Sequence, residues 1–146
     1  MSPDQAGPTA FSVFRMEAVS AGGFDAKLAA AGDALVVVFF WGVNCFNCEI
    51  AKKAMLAQPE AIRALGLTWF HANVYEERDL ARRFALHGVP TWYFFYRGKR
   101  LGRATGWHGI EPFQAAVAAA REKARAEVQS AGAHAGATAQ PPIEKN

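Results

Sequence analysis

Leu35 to Trp41 reads LVVVFFW, seven residues without a charge. An uncharged run of that length predicts a strand buried on both faces, central in its sheet and paired in parallel. After a short turn the period changes. Ile50, Ala51, Ala54 and Met55 fall at helical spacing with Glu49, Lys52 and Lys53 on the other face, so a helix is predicted from about Cys45 to Leu56. Gln58-Pro59 interrupts it, and Glu60 to Leu65 resumes helically, since proline suits a first turn. Gly66 is the stop. Leu67 to Val74 reads as a second inner strand. Glu76 to Leu86 is helical, with Leu80, Phe84 and Ala81 inward, acidic residues early and Arg82 and Arg83 late, as the helix dipole prefers. His87-Gly88 ends that helix. Trp92 to Tyr96 is another apolar strand, Arg97-Gly98-Lys99 a hairpin signal and Arg100 to Thr105 the return strand. A last helix begins at Ile110, with Phe113, Val117 and Ala120 as its core side.

Upstream, Phe11 to Val19 reads as a first strand, although Phe11, Val13, Phe14 and Met16 alternate imperfectly, and Phe24 to Ala31 reads as a short helix. Residues 1–10 read as a flexible arm and residues 11–129 as the domain. Residues 130–146, rich in Ala, Gly, Pro and Thr without periodicity, read as a disordered tail. The order β-α-β-α-β-α-β-β-α favours parallel pairing first and an antiparallel hairpin last. It predicts an α/β fold: one central mixed sheet with helices on both faces.

Composition narrows the function classes. The 146 residues suit one domain, and 51% hydrophobic with 20% charged residues is the balance of a globule. The net charge of +3, from 16 basic and 13 acidic residues, is not gathered into a basic tract, which argues against nucleic acid. Met1 to Ala10 has neither a basic n-region nor an apolar h-region, and no apolar run approaches the roughly 18 residues of a membrane span. These features predict a cytoplasmic protein without a membrane partner. In that setting two cysteines read as redox or metal chemistry rather than as a structural bridge.

Cys45 and Cys48 stand two residues apart at the mouth of a predicted helix. Unpaired N–H groups and the positive end of the macrodipole there stabilise a thiolate more than a thiol, and the spacer lets one sulfur reach the other. Zinc asks for about four ligands, and one Cys-x-x-C with scattered His71, His87 and His108 has no accepted zinc spacing.

Four features in this order carry a family resemblance over roughly residues 11–125. They are the apolar strand ending in Trp41 before Cys45-Phe46-Asn47-Cys48, the segment Gly88-Val89-Pro90-Thr91, the hairpin Gly98, and Gly106. Together they resemble the thioredoxin family, with some similarity to the C-terminal thioredoxin-like domain of the membrane reductase DsbD. The resemblance implies a thioredoxin fold and a thiol–disulfide oxidoreductase, reductive in direction, with Cys45 as nucleophile and Cys48 resolving the mixed disulfide. It also implies a cis Pro90 facing the disulfide, and a substrate groove formed by Trp41, Val89, Pro90 and Gly106. No cofactor and no metal are expected. The partners would be protein thiols and disulfides and an electron-donor redox protein, and the chain would be a monomer. Several positions depart from the family pattern: Asn44 replaces the usual Trp, Phe46-Asn47 replaces Gly-Pro, Phe39 replaces a buried acid, His71 replaces a Lys and Lys53 replaces a Pro. These departures motivate the alternative of a protein-docking module with slow or regulatory cysteines. His71 reads as a satisfied strand histidine, Trp69 and Trp92 read as core, and Glu49 as a solvated helix-face charge or a base acting through water.

Overall fold

The computed structural model describes residues 9–139. Helix α1 (Ala10–Val13) leads into strand β1 (Glu17–Ala18), α2 (Phe24–Ala30), β2 (Leu35–Trp41), α3 (Phe46–Ala57), α4 (Pro59–Arg63) and β3 (Thr68–Asn73). Then follow α5 (Arg78–Arg83), β4 (Thr91–Tyr96), β5 (Lys99–Thr105) and α6 (Ile110–Ala139). The five strands form one sheet in the order β1-β3-β2-β4-β5. β1, β3 and β2 run parallel, while β4 is antiparallel to β2 and to β5.

β2 is central, as its uncharged run predicts, with a parallel neighbour on one side only. Period-two alternation divides its side chains between two cores. Leu35, Val37 and Phe39 face α1, α3, α4 and α6 through Phe14, Met55, Ile62 and Phe113. Val36, Val38 and Phe40 face α2 and α5 through Phe24, Leu28, Leu80 and Phe84. In β5 a bulge opposite Phe94 and Phe95 leaves Leu101 out of the pairing and buried against the first core.

Three expectations need correction. The stretch from Phe11 is not a strand. Thr9 caps α1 by accepting the Ser12 N–H while the Ser12 hydroxyl takes the Thr9 N–H, a capping box that starts a helix. The imperfect alternation is the helical spacing of Ala10, Val13 and Phe14, and only Glu17–Ala18 pairs, with β3. The flexible arm therefore does not reach Ala10, which is buried, and residues 1–8 of that reading lie outside the described residues. At the other end α6 continues to Ala139, so the predicted tail begins inside a helix. Alanine's strong helix propensity offsets the lack of an apolar stripe there. The remainder of that reading, residues 140–146, lies outside the described residues. Among the described residues no helix is long and apolar enough to cross a membrane.

Candidate active site

β2 delivers the chain to a turn and then to α3. Gly42 is buried in that turn because the Tyr75 ring lies against the backbone. A Cβ added there would come within 2.6 Å of Tyr75 Cε2. Asn44 has φ 56°, the left-handed region that asparagine tolerates better than most side chains. Cys45 is extended and caps α3, its Sγ accepting the Cys48 N–H at 3.1 Å. That contact and the dipole of a twelve-residue helix favour a thiolate at Cys45 once the disulfide is opened. Cys48, one turn in, has no exposed surface. The two cysteines form a disulfide across a Cα separation of 5.2 Å.

The Val89–Pro90 peptide is cis. Val89 presents its carbonyl oxygen 3.6 Å from Cys45 Sγ. The loop is held from both ends: Gly106 N–H donates to the Pro90 carbonyl at 2.8 Å, and the Thr91 hydroxyl donates to the Gly88 carbonyl at 2.9 Å. Gly106 has φ 74°, and a Cβ there would come within 3.0 Å of His108 Nε2, which bonds to the Thr105 carbonyl. Val89, Pro90 and Gly106 line one cleft of about 270 Å³ with His87, Arg103 and Thr105.

Trp41 stands apart from that cleft. Its indole N–H donates to His71 Nδ1 at 3.0 Å, and its ring packs on Phe11 and beneath Lys52 Nζ. Phe11 also stacks on His71, with ring centroids 4.2 Å apart. Burial first, then the Lys52 charge, push the His71 imidazole down to about 4. His71 is thus a neutral, satisfied strand histidine with its proton on Nε2. Phe39, its cross-strand neighbour, is fully buried and stacks parallel to Trp92 at 5.2 Å. Trp69 and Trp92 are core, and Trp107 packs against Trp92 and Phe113. Glu49 is ion-paired with Lys52 at 2.8 Å.

Sequence reasoning missed the apolar rim. Val43, Phe46, Ile50 and Tyr75 are four of the five large exposed hydrophobics among the described residues, and all four border the cysteines or the Gly42 turn. Phe46, between the cysteines, is 77% exposed. Ile50 fits the apolar helical pattern yet points outward; its i,i+4 relation to Phe46 is the signal that could have found the pair.

A family model described as a thioredoxin-like domain matches residues 25–121, which include both cysteines and Pro90. Human thioredoxin is 30% identical over 83 residues, 57% of this chain and 77% of that protein. Thioredoxin-2 of Saccharomyces cerevisiae is 31% identical over 87 residues, 60% of this chain and 81% of that protein. Among solved structures, spinach chloroplast thioredoxin f superposes with a TM-score of 0.59 at 25% identity, covering 73% of this chain and 93% of that one. Malassezia sympodialis thioredoxin, at 21% identity and a TM-score of 0.60, shows the shared fold over 70% of this chain and 90% of that one. The matched domain and its cysteine pair support thiol–disulfide oxidoreductase chemistry in general, and the chain belongs to the thioredoxin-like family.

Proposed function

We propose that this protein reduces protein disulfides through Cys45 and Cys48. One observation carries the reading: a partly exposed cysteine caps α3 beside the Val89 carbonyl, while its partner is wholly buried behind it. Cys45 thiolate attacks a substrate sulfur, the substrate S–S bond breaks as the mixed disulfide forms, and one substrate thiolate leaves. Cys48 then attacks Cys45 Sγ, which releases the second substrate thiolate and leaves the Cys45–Cys48 disulfide. The groove of Val89, Pro90 and Gly106 holds the substrate backbone as an added extended segment, with Trp41 bracing the neighbouring turn. A redox protein acting as electron donor returns the pair to the dithiol, and the domain works as a cytoplasmic monomer with no bound cofactor. Turbidimetric insulin reduction tests this reading. Cys45→Ser is expected to abolish it, and Cys48→Ser to stop at a mixed disulfide visible by mass. Unchanged activity in Cys45→Ser would exclude the mechanism.

A second reading has its own support. Phe39 fills the buried position behind α3 with a ring, and His71 is neutral and committed to Trp41, so neither offers a proton to the exchanging sulfurs. That arrangement suits a docking scaffold with slow cysteines, and insulin reduction at ordinary thioredoxin rates excludes it.

A further inference from the structure

Two clefts lie on either side of Gly88-Val89, the segment that approaches Cys45 Sγ. One, against Pro90 and the end of β5, holds Arg103; the other, about 390 Å³, lies against Tyr75 and holds Arg78. His87 borders both, and no aspartate or glutamate lines either. Both arginines are exposed, and among the described residues neither is ion-paired to a carboxylate. Arg78 Nε donates to the Tyr75 carbonyl at 3.5 Å, and Arg103 donates to the Tyr93 hydroxyl at 3.3 Å. This sets them apart from Lys27, Lys52, Arg82 and Arg83, each of which has an acidic partner. Of the nearby carboxylates, Asp79 pairs with Arg82, Glu77 accepts the Ala21 N–H without an ion-pair partner among the described residues, and neither Glu76 nor Glu77 lines a cleft. Among the described residues the two clefts beside the Val89 loop are therefore lined by arginine and by no carboxylate, with Tyr75 in one of them and Phe46 and Ile50 exposed on α3.

Resting on the dithiol reading above, we propose that the preferred partner is an acidic protein segment. Its disulfide is flanked by carboxylates that meet Arg78 on one side of the Val89 loop and Arg103 on the other, with an apolar residue seated on Phe46 and Tyr75. Guanidinium groups bordering partly enclosed clefts attract carboxylates more strongly than freely solvated ones do, and their field speeds encounter with an acidic chain. Specificity comes from the same charges, because a lysine-flanked segment meets like charge in both clefts.

Peptide disulfides of one apolar core, flanked by Glu, Gln or Lys, test this in the Cys48→Ser chain after reduction with dithiothreitol. Attack then stops after one balanced step: the Cys45–peptide S–S bond forms, the peptide S–S bond breaks, and the departing sulfur leaves as thiolate. The readout is the ratio of Glu-peptide to Gln-peptide rates within each variant, which cancels any change in intrinsic Cys45 reactivity. The ratio is expected to be about 5 at low salt and to fall toward 1 at about 0.5 M salt. Arg78→Glu and Arg103→Glu should each lower it, and together bring it to about 1 or below, with the Lys peptide then the faster. Arg125→Glu, on the exposed face of α6, should leave it unchanged and separates a local effect from net charge. A ratio near 1 in the parent chain, or one indifferent to both reversals, overturns the acidic-partner assignment while leaving dithiol exchange intact. If no peptide reacts, the dithiol reading fails and the assignment falls with it.

Discussion

His71 shows how a single residue's chemistry follows from its packing. Its Nδ1 accepts from Trp41, so protonation would set two donors face to face beneath Lys52 and beside Phe11. The folded imidazole titrates near 4, whereas the unfolded one takes its proton near 6.5. Stability from this group is therefore complete above 6.5 and is lost as pH falls toward 4. After discounting for the solvent screening of a half-buried ring, the loss is about 1–2 kcal/mol. Urea unfolding of the parent and of His71→Gln between those limits should show the parent's stability falling more steeply. Parallel curves would remove the assignment. Phe39 allows a sharper prediction. Restoring an acid with Phe39→Asp breaks the Trp92 stack and buries a carboxyl among rings, at a cost of roughly 3 kcal/mol or more in urea unfolding. A near-neutral Phe39→Asp would mean that an ionisable partner is already present behind α3.

At the scale of elements, α6 is fastened by Phe113, which packs within 6.3 Å, centroid to centroid, of Trp69, Trp92, Phe94 and Trp107. Phe113→Ala should lower the unfolding free energy by about 3–5 kcal/mol. It should leave Cys45 alkylation in the folded baseline unchanged, because the ring lies in the core and not in the cleft. Elements whose burial is extreme were legible in the sequence. β2 admits no polar side chain because both its faces are covered, and α3 announces itself through the spacing of Ala51 and Met55. α1 was misread because four residues hold too little periodicity to separate helix from strand, and its capping box is the clearer signal. The cysteines and the cis-proline segment were legible because each is a local motif. Tyr75, Arg78 and Arg103 were not, because they reach the Val89 loop only when β3, α5 and β5 are brought to one end of the sheet.

For the molecule as a whole, that convergence decides what the cysteine pair can do. The parallel strands β2 and β3 both end near the Gly42 turn, where Val74 N–H bonds to the Trp41 carbonyl and fixes the platform from which α3 departs. At this end of the sheet Cys48 has no exposed surface while Cys45 is partly exposed, so the proposed exchange would begin at Cys45. The disulfide joins two residues one helical turn apart at the start of α3. The pair should therefore titrate as one cooperative couple in graded dithiothreitol or glutathione buffers, trapped by alkylation and read by mass. A two-electron couple shifts tenfold in its ratio for about 30 mV, with no singly modified species accumulating. A potential near the glutathione poise of the cytosol supports the reductive assignment, and a markedly more oxidising one assigns the protein to disulfide formation instead. Two separate one-thiol transitions, or none, would show that Cys45 and Cys48 do not exchange as a unit and would leave the fold as a docking scaffold.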